Sequence, residues 1–452
     1  MNTVNVNFDK VSGQIKPLHG VCCAPYSIGA GSDQKLIQKY FTEGNIPYCR
    51  LHDCCGSYGG SYFVDIPNVF PDFDADENDP SSYDFHYTDE YIKAIQDSGC
   101  EAYYRLGVTI EWGSKKYTSV IPADFTKWAR ICEHIIKHYN EGWANGFNYN
   151  IKYWEIWNEP ENPGNANGPC MWSGTKEEFY ELYKITSKHL KSKFPYIKVG
   201  GYGSCGFYTV TRGNYRESFM GFVPFFTDFL EMVRKENCPL DFFSWHIYTN
   251  DEKELLAHAK YVRETLDNYG FSNTESHLNE WNVNGEGEGF LDKHNEFGAS
   301  FDAAVMALLQ NTNYVDKAMY YDFSLYSIYN GFINQNEHSL TDVPWYSFVS
   351  FGRLYKLGHS AYVETGGTVY ATAATNGSEY GIIVSNYSAE SKETEINIKG
   401  CTGSGGVSIR YINNDSHFEE KINFTSFAVG TIRLNIPKYT VVFITISKEN
   451  LS

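Results

Sequence analysis

Two glutamates stand in matching surroundings far apart in the chain. Glu159 ends the segment Tyr153-Trp-Glu-Ile-Trp157-Asn158-Glu159-Pro160, and Glu280 ends Ser276-His-Leu-Asn-Glu280, just ahead of Trp281-Asn282. Each follows a short apolar run and is wrapped in Asn and Trp, so polar groups stand where strand packing asks for apolar ones. Two carboxylates facing across a cleft divide into a proton donor and a nucleophile. That is the apparatus of glycosidic-bond cleavage.

Other apparent motifs carry less. Gly201-Tyr-Gly203-Ser-Cys-Gly206 has dinucleotide-loop spacing, but 207–212 lacks an amphipathic helical pattern, so a strand-end loop is the better reading. The acidic run 72–79 spaces its carboxylates like a calcium loop, yet Glu77 stands where glycine is required and Tyr83 where the last glutamate is required. His134 and His138 lie one turn apart, but Ile135 occupies the place of a metalloprotease glutamate. No His-x-His occurs. No metal or organic cofactor is expected, because a carboxylate pair supplies both proton and nucleophile.

Eight short apolar runs, at 18–24, 46–51, 101–108, 151–157, 197–203, 241–248, 276–283 and 316–323, alternate with helical stretches. In 122–139 the residues Phe125, Trp128, Ile131, Cys132, Ile135 and Tyr139 share one face; 175–194 opens on a Thr175-Lys-Glu-Glu178 capping box and stops at Pro195. Eight strand–helix repeats predict an α/β fold, a (β/α)8 TIM barrel over 17–350, whose active site lies at the carboxyl ends of its strands. Beyond 350 come short alternating strands with Gly, Asn and Ser turns, which predict an appended C-terminal antiparallel β-sandwich over 351–452. The strand-like segment 1–16 is expected to join that sandwich. Glu159 and Glu280 then fall at the ends of the fourth and seventh barrel strands.

With both glutamates on one rim, the Trp-Asn-Glu-Pro and Asn-Glu-Trp-Asn segments resemble the retaining glycosidases of clan A. Arg50-Leu-His52, Leu106-Gly107, His246-Ile-Tyr248 and the junction Phe351-Gly-Arg-Leu-Tyr-Lys-Leu-Gly358 narrow the resemblance to glycoside hydrolase family 39, that of β-xylosidases and α-L-iduronidase. The resemblance implies Glu159 as acid/base, Glu280 as nucleophile, and Asn158 as the residue that holds the sugar 2-hydroxyl. It places Arg50, His246 and Tyr248 near the nucleophile. His52, Glu111, Trp281 and Asp322 are further candidates for sugar contacts, and Trp112, Trp157, Trp172 and Trp345 join Trp281 as candidates for stacking. An apolar wall such as Trp157, with a nearby negative charge, would raise the Glu159 pKa, while Arg50 and Tyr248 would hold that of Glu280 down. The implied activity is retaining exo-hydrolysis, β-xylosidase first. An arabinofuranosidase-type or other glycosidase of the family, a transglycosidase and a non-catalytic carbohydrate-binding protein are the alternatives. The chain departs from the family pattern at Asp53, where many members have glycine, and at Met319-Tyr-Tyr-Asp322, where a Trp-rich strand end is common.

Composition bounds the partners. Lys and Arg total 37 against 55 Asp and Glu, a net charge of −18, which repels nucleic-acid phosphates and anionic membrane surfaces. It suits a neutral oligosaccharide or glycan better than a polyanionic one. No apolar run approaches the roughly 20 residues of a membrane helix. The first ten residues lack a basic and an apolar region, and eleven cysteines include no Cys-x-x-Cys, so reduced thiols and a cytoplasmic location are expected. The resemblance also admits a homo-oligomer. Aromatic residues make up 17% of the chain, with 36 Tyr and 9 Trp, and some are expected to gather around the two glutamates.

Overall fold

A computed structural model describes the chain apart from residues 27–32, 55–61, 163–169, 214–215, 284–292, 326, 328, 334–342, 389, 391–392, 402–405, 425–429 and 448–452. Cys55 and part of the long segment after the second barrel strand therefore lie outside the described residues.

The chain opens with β1 (Asn2–Gln14), which belongs to a second sheet described below. Eight parallel strands then close into a barrel in chain order. They are β2 (Gly20–Cys22), β3 (Tyr48–Leu51), β4 (Glu101–Leu106), β5 (Tyr153–Ile156), β6 (Lys198–Ser204), β7 (Phe242–Tyr248), β8 (Glu275–Asn282) and β9 (Lys317–Tyr320). Each is buried on both faces except at its first residue or its ends, as helix-covered parallel strands must be.

The helices follow the local signals. Asp124 caps the helix Phe125–Glu141 by accepting from Thr126 N and Lys127 N, and Trp128, Ile131, Cys132, Ile135 and Tyr139 are buried against the barrel. Thr175 and Glu178 form the capping box of the helix Lys176–Lys193.

Side chains alternate along a strand, so every second residue points into the barrel. The inward positions near the amino ends form an aromatic floor: Tyr103 and Tyr153 stack at 5.5 Å, Phe242 and His277 at 4.8 Å, and Tyr103 reaches across to His277 Nδ1 at 3.1 Å. One step up, the inward positions are Arg50, Glu155, Ser244 and Asn279. Arg50 Nε, Ser244 Oγ and Asn279 Nδ2 all donate to the fully buried Glu155 carboxylate, at 2.7, 2.6 and 2.6 Å. The next step up carries the site.

Beyond the barrel, β10 (His359–Gly366), β11 (Tyr370–Thr375), β12 (Glu379–Asn386), β13 (Glu393–Lys399), β14 (Val407–Asn413), β15 (Ser416–Phe424), β16 (Thr431–Asn435) and β17 (Thr440–Ser447) join β1 in one nine-stranded sheet. This sheet curls over a core that includes Val4, Val6, Ile382, Ile396, Ile409 and Ile444. It is antiparallel except where β1 runs parallel to β13 while pairing antiparallel with β10. The helices Glu296–Gln310 and Trp345–Leu357 pack it against the barrel; Ser385 Oγ donates to Ser300 O at 2.7 Å. Among the described residues ten cysteines are free, and no helix is long and apolar enough to cross a membrane.

Candidate active site

A pocket of about 720 Å³ opens at the carboxyl ends of the barrel strands, and Glu159 and Glu280 both line it. One carboxylate oxygen of each lies within 4.8 Å of the other and of a nitrogen of His246.

Backbone geometry delivers Glu159. After β5 the chain passes through positive φ at Trp157 (+70°) and again at Glu159 (+45°), conformations that side chains rarely adopt unless neighbours hold them. The holding bonds are present. Trp157 N donates to Leu106 O at 2.7 Å, Trp157 Nε1 to Met171 O at 2.7 Å, and Glu159 N to the carbonyls of Tyr202 and Gly203 at 3.1 and 2.9 Å. Gly203 itself has φ +64°, and a Cβ there would meet Asn158 Oδ1 at 2.9 Å and Arg50 Nη2 and His246 Nε2 at 3.2 Å. The glycine-rich segment thus ends β6 inside the site, and its third member has to be small.

A bulge delivers Glu280. Trp245 pairs with Leu278, but the next residue, His246, pairs with Glu280. The extra residue on β8 lets Asn279 and Glu280 both face inward. Arg50 Nη1 and Tyr248 Oη donate to the two Glu280 oxygens at 2.6 and 2.7 Å, and both donors stabilise the anion. Arg50 is fully buried, and its third donor group goes to Asn158 Oδ1 at 2.6 Å.

His246 joins the two acids. Nδ1 lies 2.8 Å from Glu159 Oε1 and 3.5 Å from Glu280 Oε2. Burial pushes the Glu159 carboxyl up, but the His246 hydrogen bond and charge, helped by Cys205 and Asn162, outweigh it and leave the group below the ordinary carboxylate range. Burial pulls the His246 imidazole down, and the Glu280 and Glu159 carboxylates more than reverse that, so it sits above its ordinary value. The expected upward shift of Glu159 is therefore reversed. Trp157 is not its wall either: that ring packs outward against Trp128 and Trp172, at 6.0 and 5.1 Å.

His52 lines the pocket as expected. Arg105 Nε donates to its Nδ1 at 3.1 Å, which leaves the proton on Nε2, 3.6 Å from Glu280 Oε1. Burial, with the charges of Arg105, Arg50 and His246, keeps the ring neutral.

Three expected contacts lie elsewhere. Trp281 is fully buried and packs against Tyr320 of β9 and against Phe301 and Phe348 in the helix layer, because the bulge before it turns the next side chain outward. Glu111 spends its carboxylate on a loop, accepting from the backbone of Tyr117, Thr118 and Ser119 and from the Ser119 hydroxyl. Asp322 is buried outside the pocket lining and accepts from Ser324 N and Oγ, both at 3.2 Å; burial pushes it up to about 7. Of the five tryptophans considered for stacking, only Trp112 lines the pocket, 65% exposed. Tyr62, Tyr208, Tyr248, Tyr321 and Tyr329 line it too, so the aromatic gathering is present but falls mostly to tyrosine.

Sequence reasoning passed over Glu155, Asn279, Cys205 and Tyr329. For Glu155 and Asn279 a signal existed: each is a polar residue inside an otherwise apolar run that ends on a candidate glutamate.

Comparison with known proteins gives the family. The chain matches the model of glycosyl hydrolases family 39 over residues 4–333. It is 25% identical over 226 residues to a β-xylosidase of Geobacillus stearothermophilus, covering 45% of this chain and 39% of that one. It is 23% identical over 280 residues to a β-xylosidase of Caldicellulosiruptor saccharolyticus, covering 57% of this chain and 50% of that one. The chain thus spans half or less of the length of these curated relatives. A glucosidase structure from Croceicoccus marinus superposes with TM-score 0.81 at 22% identity, and a monomeric β-xylosidase from Caulobacter crescentus CB15 with TM-score 0.73 at 13%, each over 99% of both chains. At those identities the likeness is one of fold. With its barrel, its paired glutamates and a family match that runs through both of their motifs, the chain belongs to glycosyl hydrolase family 39.

Proposed function

We propose that the chain is a retaining, exo-acting glycoside hydrolase that removes one or two sugar units from neutral oligosaccharides, with β-xylosidase activity leading. One observation carries this reading: carboxylate oxygens of Glu159 and Glu280 approach within 4.8 Å in one pocket. Retaining enzymes hold their carboxyl groups about 5–5.5 Å apart, whereas inverting enzymes need roughly 6.5–9.5 Å to seat a water.

Glu280 attacks the anomeric carbon while the glycosidic bond breaks, and Glu159 gives its proton to the departing oxygen. The leaving group departs as an alcohol and the sugar remains as an ester on Glu280. Glu159, now a carboxylate, takes a proton from water, whose oxygen attacks the anomeric carbon and frees Glu280. The proton needed at the start belongs to the Glu159–His246 pair. Arrival of the leaving oxygen beside Glu159 draws it from the imidazole to the carboxyl. Asn158 has its Oδ1 held by Arg50, which leaves Nδ2 to donate to the sugar 2-hydroxyl.

The pocket volume falls in the range of small-molecule sites, which favours a sugar and its leaving group over a polymer strand. A glucosidase among the structural neighbours makes glucosides the second class to assay.

A panel of 4-nitrophenyl glycosides, with xylosides, glucosides and arabinofuranosides included, tests the reading on wild type and Glu280→Ala. Turnover that Glu280→Ala abolishes, with the first product of unchanged anomeric configuration in an NMR time course, supports it. Sugar binding without turnover of any member, or an inverted first product, overturns it.

A further inference from the structure

Asp53 stands two residues past the end of β3, and its backbone lies in the left-handed region at φ +53°. That conformation turns the carboxylate into the pocket, beside His52 and Glu280. Tyr321 Oη donates to Asp53 Oδ2 at 2.6 Å. Oδ1 is buried and accepts no hydrogen bond among the described residues; His52 Nε2 lies 3.2 Å from it without completing one. His52 is itself held by Arg105 and reaches towards Glu280. The pocket wall therefore carries a carboxylate anchored by Tyr321 through Oδ2, with Oδ1 turned to the His52 ring and the side chain 17% exposed. A carboxylate has about four acceptor positions, so one that lines the pocket can take a further donor from a ligand.

The donors that fit are hydroxyls. Among the described residues no Lys or Arg side chain lines the pocket, while Asp53, Glu159 and Glu280 all do. A sugar carboxylate would meet three carboxyl groups there, and the Arg50 guanidinium behind them is buried and already engaged by Glu155 and Glu280. Burial pushes Asp53 up to about 6, with the Tyr321 hydrogen bond opposing and the Glu280 charge adding, so most of it is charged at neutral pH.

We propose that Asp53 is a specificity-determining residue of the pocket: its carboxylate accepts a ring hydroxyl of the sugar seated at Glu280, and its charge excludes uronates. This rests on the glycoside hydrolase reading above.

The test takes whichever 4-nitrophenyl glycoside wild type turns over fastest, its monodeoxy analogues and the matching uronide. Wild type, Asp53→Ala and the near-isosteric Asp53→Asn are assayed on all of them. Asp53→Ala is expected to lower kcat/KM on the parent by about 10- to 100-fold. One deoxy analogue should lose as much with wild type and lose little more in Asp53→Ala, a coupling that a merely structural role would not produce. Asp53→Asn should narrow the preference for parent over uronide at least about tenfold. Equal losses for every analogue in wild type and variant, or an unchanged uronide ratio, overturn the proposal. If wild type turns over no glycoside the hydrolase reading fails instead. Calorimetric binding of the free sugars and uronates to wild type and Asp53→Ala then decides Asp53 alone: equal affinities in the two proteins overturn it.

Discussion

His246 Nδ1 donates to Glu159 Oε1 at 2.8 Å, and the same nitrogen lies 3.5 Å from Glu280 Oε2. One imidazole thus faces both carboxylates from β7, a strand that carries neither. Both carboxylates strengthen its hold on a proton, which lies one hydrogen bond from the group that must deliver it.

Replacing that imidazole exposes the balance it maintains. Burial is the largest influence on Glu159 and acts upward, with His246 the main opposition. In His246→Gln the Glu159 carboxyl should titrate at higher pH than in wild type, read by NMR of ¹³C-labelled glutamate side chains. Loss of the positioning bond should also lower kcat/KM by about 100-fold. An unchanged or lower Glu159 titration would count against the pairing.

Trp112 offers a separate handle. It is 65% exposed at the pocket, and Tyr62 beside the same pocket is 42% exposed, so neither owes its position to core packing. Trp112→Ala should raise KM for aryl or oligosaccharide substrates by roughly 3- to 10-fold, the size of one aromatic contact. The expected change in kcat and in thermal midpoint is small. A fall in kcat with KM unchanged would remove Trp112 from substrate binding.

Glu161 predicts a pH dependence of stability. Its Oε1 accepts from Ser204 Oγ and Cys205 N at 2.6 and 2.7 Å, while Oε2 is buried without a partner among the described residues. Burial pushes it from 4.5 up to about 7. The unfolded chain releases this proton near 4.5 and the folded chain near 7, so between those values the folded state binds more protons and stability falls as pH rises. At about 1.4 kcal/mol per pH unit, the rise corresponds to roughly 3 kcal/mol. Glu161→Gln should flatten the thermal midpoint against pH between 4.5 and 7. Parallel curves for wild type and variant would show that Glu161 is not the source.

The barrel and the helix ends were legible because they rest on local rules. Alternating apolar runs, the Thr175–Glu178 capping box and Pro195 each act over a few residues, and a strand–helix repeat leaves few ways to bury its faces. Both glutamates were legible for a related reason, since a charged residue at the end of an apolar strand is conspicuous in the sequence. The C-terminal strands were legible as strands, but their union into one curled sheet was not. The parallel pairing of β1 with β13 joins segments separated by nearly the whole chain, and no local pattern records it.

The sequence by itself determined the eightfold architecture, the two acids and the family, because periodicity and residue type suffice for those. Only the tertiary structure decided how each side chain is aimed and what charge surrounds it. A one-residue bulge in β8 turned Glu280 into the pocket and Trp281 out of it. Positive φ turned Glu159 and Asp53 inward. Packing from β7 placed His246 where it lowers an acid that burial alone would raise. Pairing register and through-space electrostatics join residues distant in the chain, so they exist only once the barrel has closed.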